Sequence, residues 1–95
     1  MVSYVYILAN RKNGALYTGV TSELSARVYQ HKEGTGSKHT AKYGINKLVW
    51  YGDFEDIRDA IDREHQIKKW RRAWKIKLIE ENNPNWQDLY FDLNN

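Results

Sequence analysis

The chain has 95 residues, of which 41% are hydrophobic and 14% aromatic, and it carries a formal net charge of +3. That length suits one small domain spanning 1–95 with a thin core, and a second is not expected. The chain contains no cysteine, which excludes disulfides and thiolate metal sites and suits a reducing, cytoplasmic setting; no apolar run approaches the ~20 residues of a membrane span.

Residues 3–9, rich in Val, Ile and Tyr, predict a strand, and residues 15–20 predict a second. Asn13-Gly14 between them is a hairpin turn signal, since both residues tolerate positive φ. Thr21 or Ser22 can cap a helix over about 23–31, with Glu23 in its first turn. Residues 33–44, "EGTGSKHTAKYG", form a long Gly-, Ser- and Lys-rich connection, expected as a loop. Residues 47–54 predict a third strand. Helical periodicity covers 56–71 and resumes over 73–82, with a bend near Arg72-Ala73 and a stop at Pro84. "WQDLYF" at 86–91 is expected to pack back as an aromatic clamp. The order is β-β-α-β-α-α, an α+β domain with helices covering a small sheet.

Strand side chains alternate between faces. A hairpin loop of two or four residues around Asn13-Gly14 makes opposing positions sum to 27 or 25, and either register puts Tyr6 and Tyr17 on one face. Gly19 joins them and leaves space beside the rings. On the first helix, Leu24 and Val28 mark the apolar face, and Arg27 and His31, four apart, share the inward side. On the second, Ile57, Ala60, Ile61 and Ile67 form the stripe, and Glu64 falls within roughly 20° of Ile57 on a helical wheel. A carboxylate there must be paired, neutralised or metal-bound; Lys68 is one available partner.

Residues 68–77, "KKWRRAWKIK", hold six positive charges and no negative one. Such a concentration suggests an anionic partner, nucleic acid above all. Trp70 and Trp74, four apart, are expected to fill the core, leaving Lys69, Arg71, Arg72, Lys75 and Lys77 for phosphates.

"YVY" at 4–6 and "YTG" at 17–19, with the short spacing, the Asn-Gly turn, Arg27 and His31 on the next helix and Glu64 on a later one, resemble the GIY-YIG nuclease superfamily over about residues 3–80. "LYTGVT" and "REHQIKKW" are similar to its small stand-alone bacterial members. Tyr-Val-Tyr stands in place of Gly-Ile-Tyr, and Thr18 in place of Ile; the further polar residue late in the domain, often Asn in the family, is not assigned. The resemblance implies a three-stranded antiparallel sheet flanked by helices, and metal-dependent hydrolysis of a phosphodiester bond.

On that footing the expected catalytic set is Tyr6, Tyr17, Arg27, His31 and Glu64. Glu64 would bind one Mg²⁺ or Mn²⁺, Arg27 the phosphate, and Tyr6 or Tyr17, with His31, the attacking water. A free tyrosine is a poor base at neutral pH, so His31 is the better base if nothing lowers the phenol pKa. Lys38, His39 and Lys42 in the long connection, with Lys69, Arg71, Arg72 and Lys75, are the expected nucleic-acid contacts. The partner is expected to be DNA, with a protein partner as a further source of specificity. A module that holds nucleic acid without cutting it is the alternative.

Overall fold

The computed structural model describes residues 1–93. Three strands, β1 (Ser3–Ala9), β2 (Leu16–Thr21) and β3 (Lys47–Phe54), form one antiparallel sheet in the order β2-β1-β3. Helices α1 (Leu24–Lys32), α2 (Lys38–Tyr43), α3 (Ile57–Lys69) and α4 (Arg72–Asn82) flank it, and a 3₁₀ turn covers Leu89–Asp92. The α+β class and the antiparallel sheet of three strands are as the sequence implies.

β1 is the central strand, and it is apolar on both sides because both faces are covered. Val5, Ile7 and Ala9 pack with Ala60, Ile67 and Ile79 of α3 and α4 and with Trp86. Tyr6 and Leu8 pack on the other face with Leu24 and Val28 of α1, and with Ile45 and Leu48. A bulge between Ile7 and Leu8 in the β1–β3 pairing sets Ile7 opposite Trp50 and Leu8 opposite Leu48. The extra residue, Val49, joins Trp50 against the α3–α4 layer.

The hairpin register pairs Ala9 with Leu16 and Tyr6 with Gly19, so opposing positions sum to 25. Asn10 N–H bonds the Ala15 carbonyl at 3.2 Å, and Gly14 N–H bonds that of Arg11 at 2.9 Å, closing a turn whose Asn13 has φ 59°. The even register therefore holds, and Tyr6 and Tyr17 share a face.

Several expectations need correction. The connection 33–44 is not all loop: Ser37 caps α2 by accepting from Thr40 N–H at 3.1 Å, and Gly44 ends it at φ 63°. The apolar stripe of α3 is narrower than its sequence suggests, since Ile57 and Ile61 lie at the surface. The break between the last helices falls at Trp70-Arg71, both extended, rather than at Arg72-Ala73. Neither Thr21 nor Ser22 is the N-cap of α1: Glu23 holds that place without a side-chain bond, although Thr21 Oγ1 accepts its N–H at 3.0 Å.

The C-terminal segment does pack back. Trp86 is buried, and its Nε1–H donates to Glu80 at 2.7 Å. Asn83 is buried too: its Nδ2 donates to the carbonyls of Val49 (3.1 Å) and Gln87 (2.9 Å), and its Oδ1 accepts Gln87 N–H at 3.0 Å. Asp88 accepts from the Leu48 and Tyr90 amides, each at 3.1 Å, and pairs with Lys32. Removing the Asn83 amide leaves buried backbone groups unpaired, so Asn83→Ala is expected to cost about 2–3 kcal/mol in urea denaturation. A loss near zero would mean that this segment is not anchored through Asn83.

Candidate active site

The site begins with the contact between Tyr6 and Gly19. Tyr6 is 1% exposed, and its ring lies across β2. A Cβ at Gly19 would stand 2.5 Å from both Tyr6 Cζ and Oη, so only glycine admits the ring. Tyr17, on the same face, has its ring centroid 6.3 Å from that of Tyr6. His31 completes a triangle, at 5.9 Å from Tyr6 and 5.3 Å from Tyr17.

Two of the rings, Tyr6 and His31, are joined by hydrogen bonds to α2. Tyr6 Oη and His31 Nε2 are 3.1 Å apart, and His31 Nδ1 lies 2.9 Å from Thr40 Oγ1. Thr40 Oγ1 in turn lies 3.3 Å from the Ser37 carbonyl oxygen. Ser37 Oγ is closer to it still, at 2.8 Å. When Thr40 donates to Ser37, Nδ1–H donates to Thr40 and bare Nε2 accepts the Tyr6 proton; when Thr40 donates to Nδ1, Nε2–H donates to Tyr6 Oη. Gly36 lies against the imidazole: a Cβ there would meet Nδ1 at 2.4 Å. Arg27 closes the same turn, its Nη2 donating to the Gly36 carbonyl at 3.0 Å and its Nη1 to Gln30 at 2.9 Å.

The electrostatics keep Tyr6 and His31 neutral. Burial pushes the Tyr6 pKa up; hydrogen bonding to Arg27 pulls it back in part, and the charges of Tyr17 and Glu64 add to the rise. The Arg27 pKa is raised in return, chiefly through its bond with Tyr6. Burial, then the Arg27 charge, lowers His31 to about 4. His31 is therefore an uncharged imidazole near pH 7, not a cation serving the α1 dipole.

Glu64 comes from the opposite layer. It projects from α3, which packs over β1 and β2, and it is 7% exposed. Lys68 Nζ pairs with its Oε2 at 3.2 Å, and His65 Nε2 lies 3.6 Å from Oε1. Among the described residues no three His, Cys, Asp or Glu side chains gather into a metal cage. A lone carboxylate suits a hard ion that keeps most of its waters, as Mg²⁺ does.

The remaining expected contacts sit outside this cluster. Lys38, His39 and Lys42 are exposed on α2, with His39 5.0 Å from the Tyr43 ring and Lys42 5.4 Å from it. Lys69 and Arg71 are exposed at the α3–α4 break. Arg72 Nη2 donates to the carbonyls of Asn13 (2.7 Å) and Gly14, tying α4 to the hairpin. Lys75 Nζ is 3.5 Å from the Lys68 carbonyl. Sequence reasoning missed Gly36, Ser37 and Thr40. The signal was the Ser37-x-x-Thr40 cap with Gly44 beyond it, a short-helix frame hidden in a loop-like composition.

The comparisons agree with this architecture. The GIY-YIG catalytic domain family matches residues 2–77. The UPF0213 protein of Clostridium perfringens is 45% identical over 78 residues, which is 82% of this chain and 83% of that protein. That of Staphylococcus haemolyticus is 40% identical over 82% of this chain and 94% of its own length. The solution NMR structure of the UPF0213 protein from Bacillus halodurans superposes with a TM-score of 0.57 at 32% identity, over 93% of each chain. With the family matched over most of its length and relatives at this identity, the chain belongs to the GIY-YIG catalytic domain family, a domain of nuclease type.

Proposed function

We propose that this chain is a divalent-metal-dependent endonuclease that hydrolyses phosphodiester bonds, with DNA as its substrate, working as one domain over residues 1–95 in the cytoplasm. The observation that carries the reading is the bond from the Tyr6 phenol to a neutral imidazole, 3.1 Å long, beside Arg27. A phenol raised in pKa is a poor base alone. In the tautomer whose proton is on Nδ1, Nε2 is bare, and the phenol passes its own proton to His31 as it takes one from the attacking water. The arriving phosphodiester offsets the Arg27 charge and raises the proton affinity of the imidazole, so the relay engages when substrate is present. Arg27, fixed by Gly36 and Gln30, keeps its guanidinium beside the phenol and meets the phosphate oxygens as charge builds. Tyr17, 5.3 Å from the His31 ring centroid, positions the water or the phosphate from the second side.

Glu64 would hold the Mg²⁺ or Mn²⁺ ion, with Lys68 giving up its pairing as the ion binds. When bound, such an ion neutralises phosphate charge and eases departure of the leaving oxygen. Lys38, His39, Lys42, Lys69, Arg71, Arg72 and Lys75 supply contacts to the nucleic-acid backbone that carry no sequence information, so specificity falls to a protein partner or to the shape of the substrate. Among the described residues no helix is long and apolar enough to cross a membrane. The existing Glu64–Lys68 pair favours a second reading, in which the domain binds nucleic acid without cutting it.

Labelled single-stranded, duplex and branched DNA, incubated with Mg²⁺, Mn²⁺ or EDTA, decides between them. Wild type is expected to cleave only with metal. Glu64→Gln is expected to bind without cleaving, and Arg27→Ala to lose ~10²–10³ in rate, both with wild-type melting curves. Arg27→Ala cleaving as fast as wild type would sink the assignment.

The neutral imidazole has a consequence for stability. The folded pKa of His31, about 4, lies below its unfolded value of 6.5, so the unfolded chain binds more protons between those two values. Stability from this group is complete above pH 6.5 and falls as the pH drops through 4, by on the order of 3 kcal/mol. The difference between wild type and His31→Gln in urea denaturation from pH 7 to 4 isolates it. Parallel curves for the two proteins would show that His31 is not held neutral.

A further inference from the structure

Trp74 does not fill the core. It is 55% exposed on α4, an unusual place for a large apolar ring. Trp70 meets it edge-on, with centroids 6.1 Å apart. The Arg63 guanidinium lies over Trp70, 4.8 Å from the ring centroid, and also donates to Gln66 at 3.2 Å. The two rings, with Arg63, Lys77, Leu78 and Glu81, line an open cleft of about 330 Å³ between α3 and α4.

We propose that this cleft is a nucleic-acid subsite: Trp74 stacks one unpaired base, and Arg63 and Lys77 meet the phosphates on either side. The chemistry of the lining selects this occupant. Two cations face one anion in the cleft, and the adjoining run 68–77 adds positive charge and no negative charge. An exposed indole face accepts any base, whereas a closed duplex presents no base face to it, so the base must be unpaired. Arg63 is already held against Trp70 and Gln66, so little side-chain freedom is lost on binding.

Position supports the same occupant. Arg63 lies on α3 about 100° around the helix from Glu64, and Trp70, the residue just past the end of α3, meets its guanidinium. Trp70 follows Glu64 by six residues, about 9 Å along the axis, a span of a few nucleotides. A strand whose phosphate is at Glu64 can thus set a flanking base in the cleft; that use of the bound strand rests on the nuclease reading, whereas binding itself does not.

The test is fluorescence anisotropy in EDTA with a labelled oligothymidylate and a blunt duplex, using wild type, Trp74→Ala and Trp74→Phe of matching melting temperature. Trp74→Ala is expected to bind the oligothymidylate roughly 5- to 150-fold more weakly, with a smaller loss on duplex, and Trp74→Phe to recover most of it. Tryptophan emission of wild type should be quenched by the oligonucleotide, and the quench should shrink in Trp74→Ala. Equal affinity of Trp74→Ala and wild type for the oligothymidylate overturns the proposal. So do equal losses on both nucleic acids, or a Trp74-dependent change confined to self-association. Cleavage with metal is scored separately. Trp74-dependent binding without cleavage removes the nuclease reading and keeps the cleft; cleavage without Trp74-dependent binding does the reverse.

Discussion

The packing of one phenol against one bare Cα sets the geometry on which this molecule depends. Tyr6 is on the central strand, buried, and its ring reaches across to Gly19 on the neighbouring strand. That contact needs the hairpin register to be right to the residue, because a slip of one would turn Tyr6 toward the α3–α4 layer. The hairpin turn, the Arg72 bond to its carbonyls and the bulge opposite Ile7 all fix that register or adjust the sheet around it. The geometry of the candidate site and the packing of the core are therefore one problem here. The ring that would carry a proton is also part of the hydrophobic cluster beneath α1.

This coupling explains the glycines. Gly19 and Gly36 are small for the same reason, since each lies flat against a ring of the cluster. Neither needs a left-handed backbone; what each supplies is room. Gly36 also turns its carbonyl to Arg27, so one residue both admits the imidazole and anchors the guanidinium. α2 serves the site through one buried hydroxyl, that of Thr40, while the rest of its side chains largely face outward.

The sequence made some of this legible and hid the rest for definite physical reasons. Period-two alternation with an Asn-Gly turn gave the hairpin, its even register and the shared face of Tyr6 and Tyr17. Helical spacing put Arg27 and His31 on one side and Glu64 on the core side of α3. Composition misled where it stands in for geometry: a Gly-, Ser- and Lys-rich stretch concealed a capped helix over Lys38–Tyr43. Helical periodicity overstated burial, because a narrow contact with a small sheet leaves Ile57, Ile61 and Trp74 outside it. Thr40 was invisible for another reason. Its importance comes from a contact with His31 nine positions earlier, across a turn whose path no local pattern records.

The charges follow a common logic. Inside the cluster, burial disfavours the ionised forms, so Tyr6 keeps its proton and His31 does not take up a second. The Arg27 charge next to them is held by backbone and amide oxygens that cannot neutralise it. A cluster arranged this way is biased toward an anion: a phosphate next to Arg27 would offset the charge that, after burial, opposes protonating His31. Substrate charge would then itself shift the proton from Tyr6 toward the imidazole.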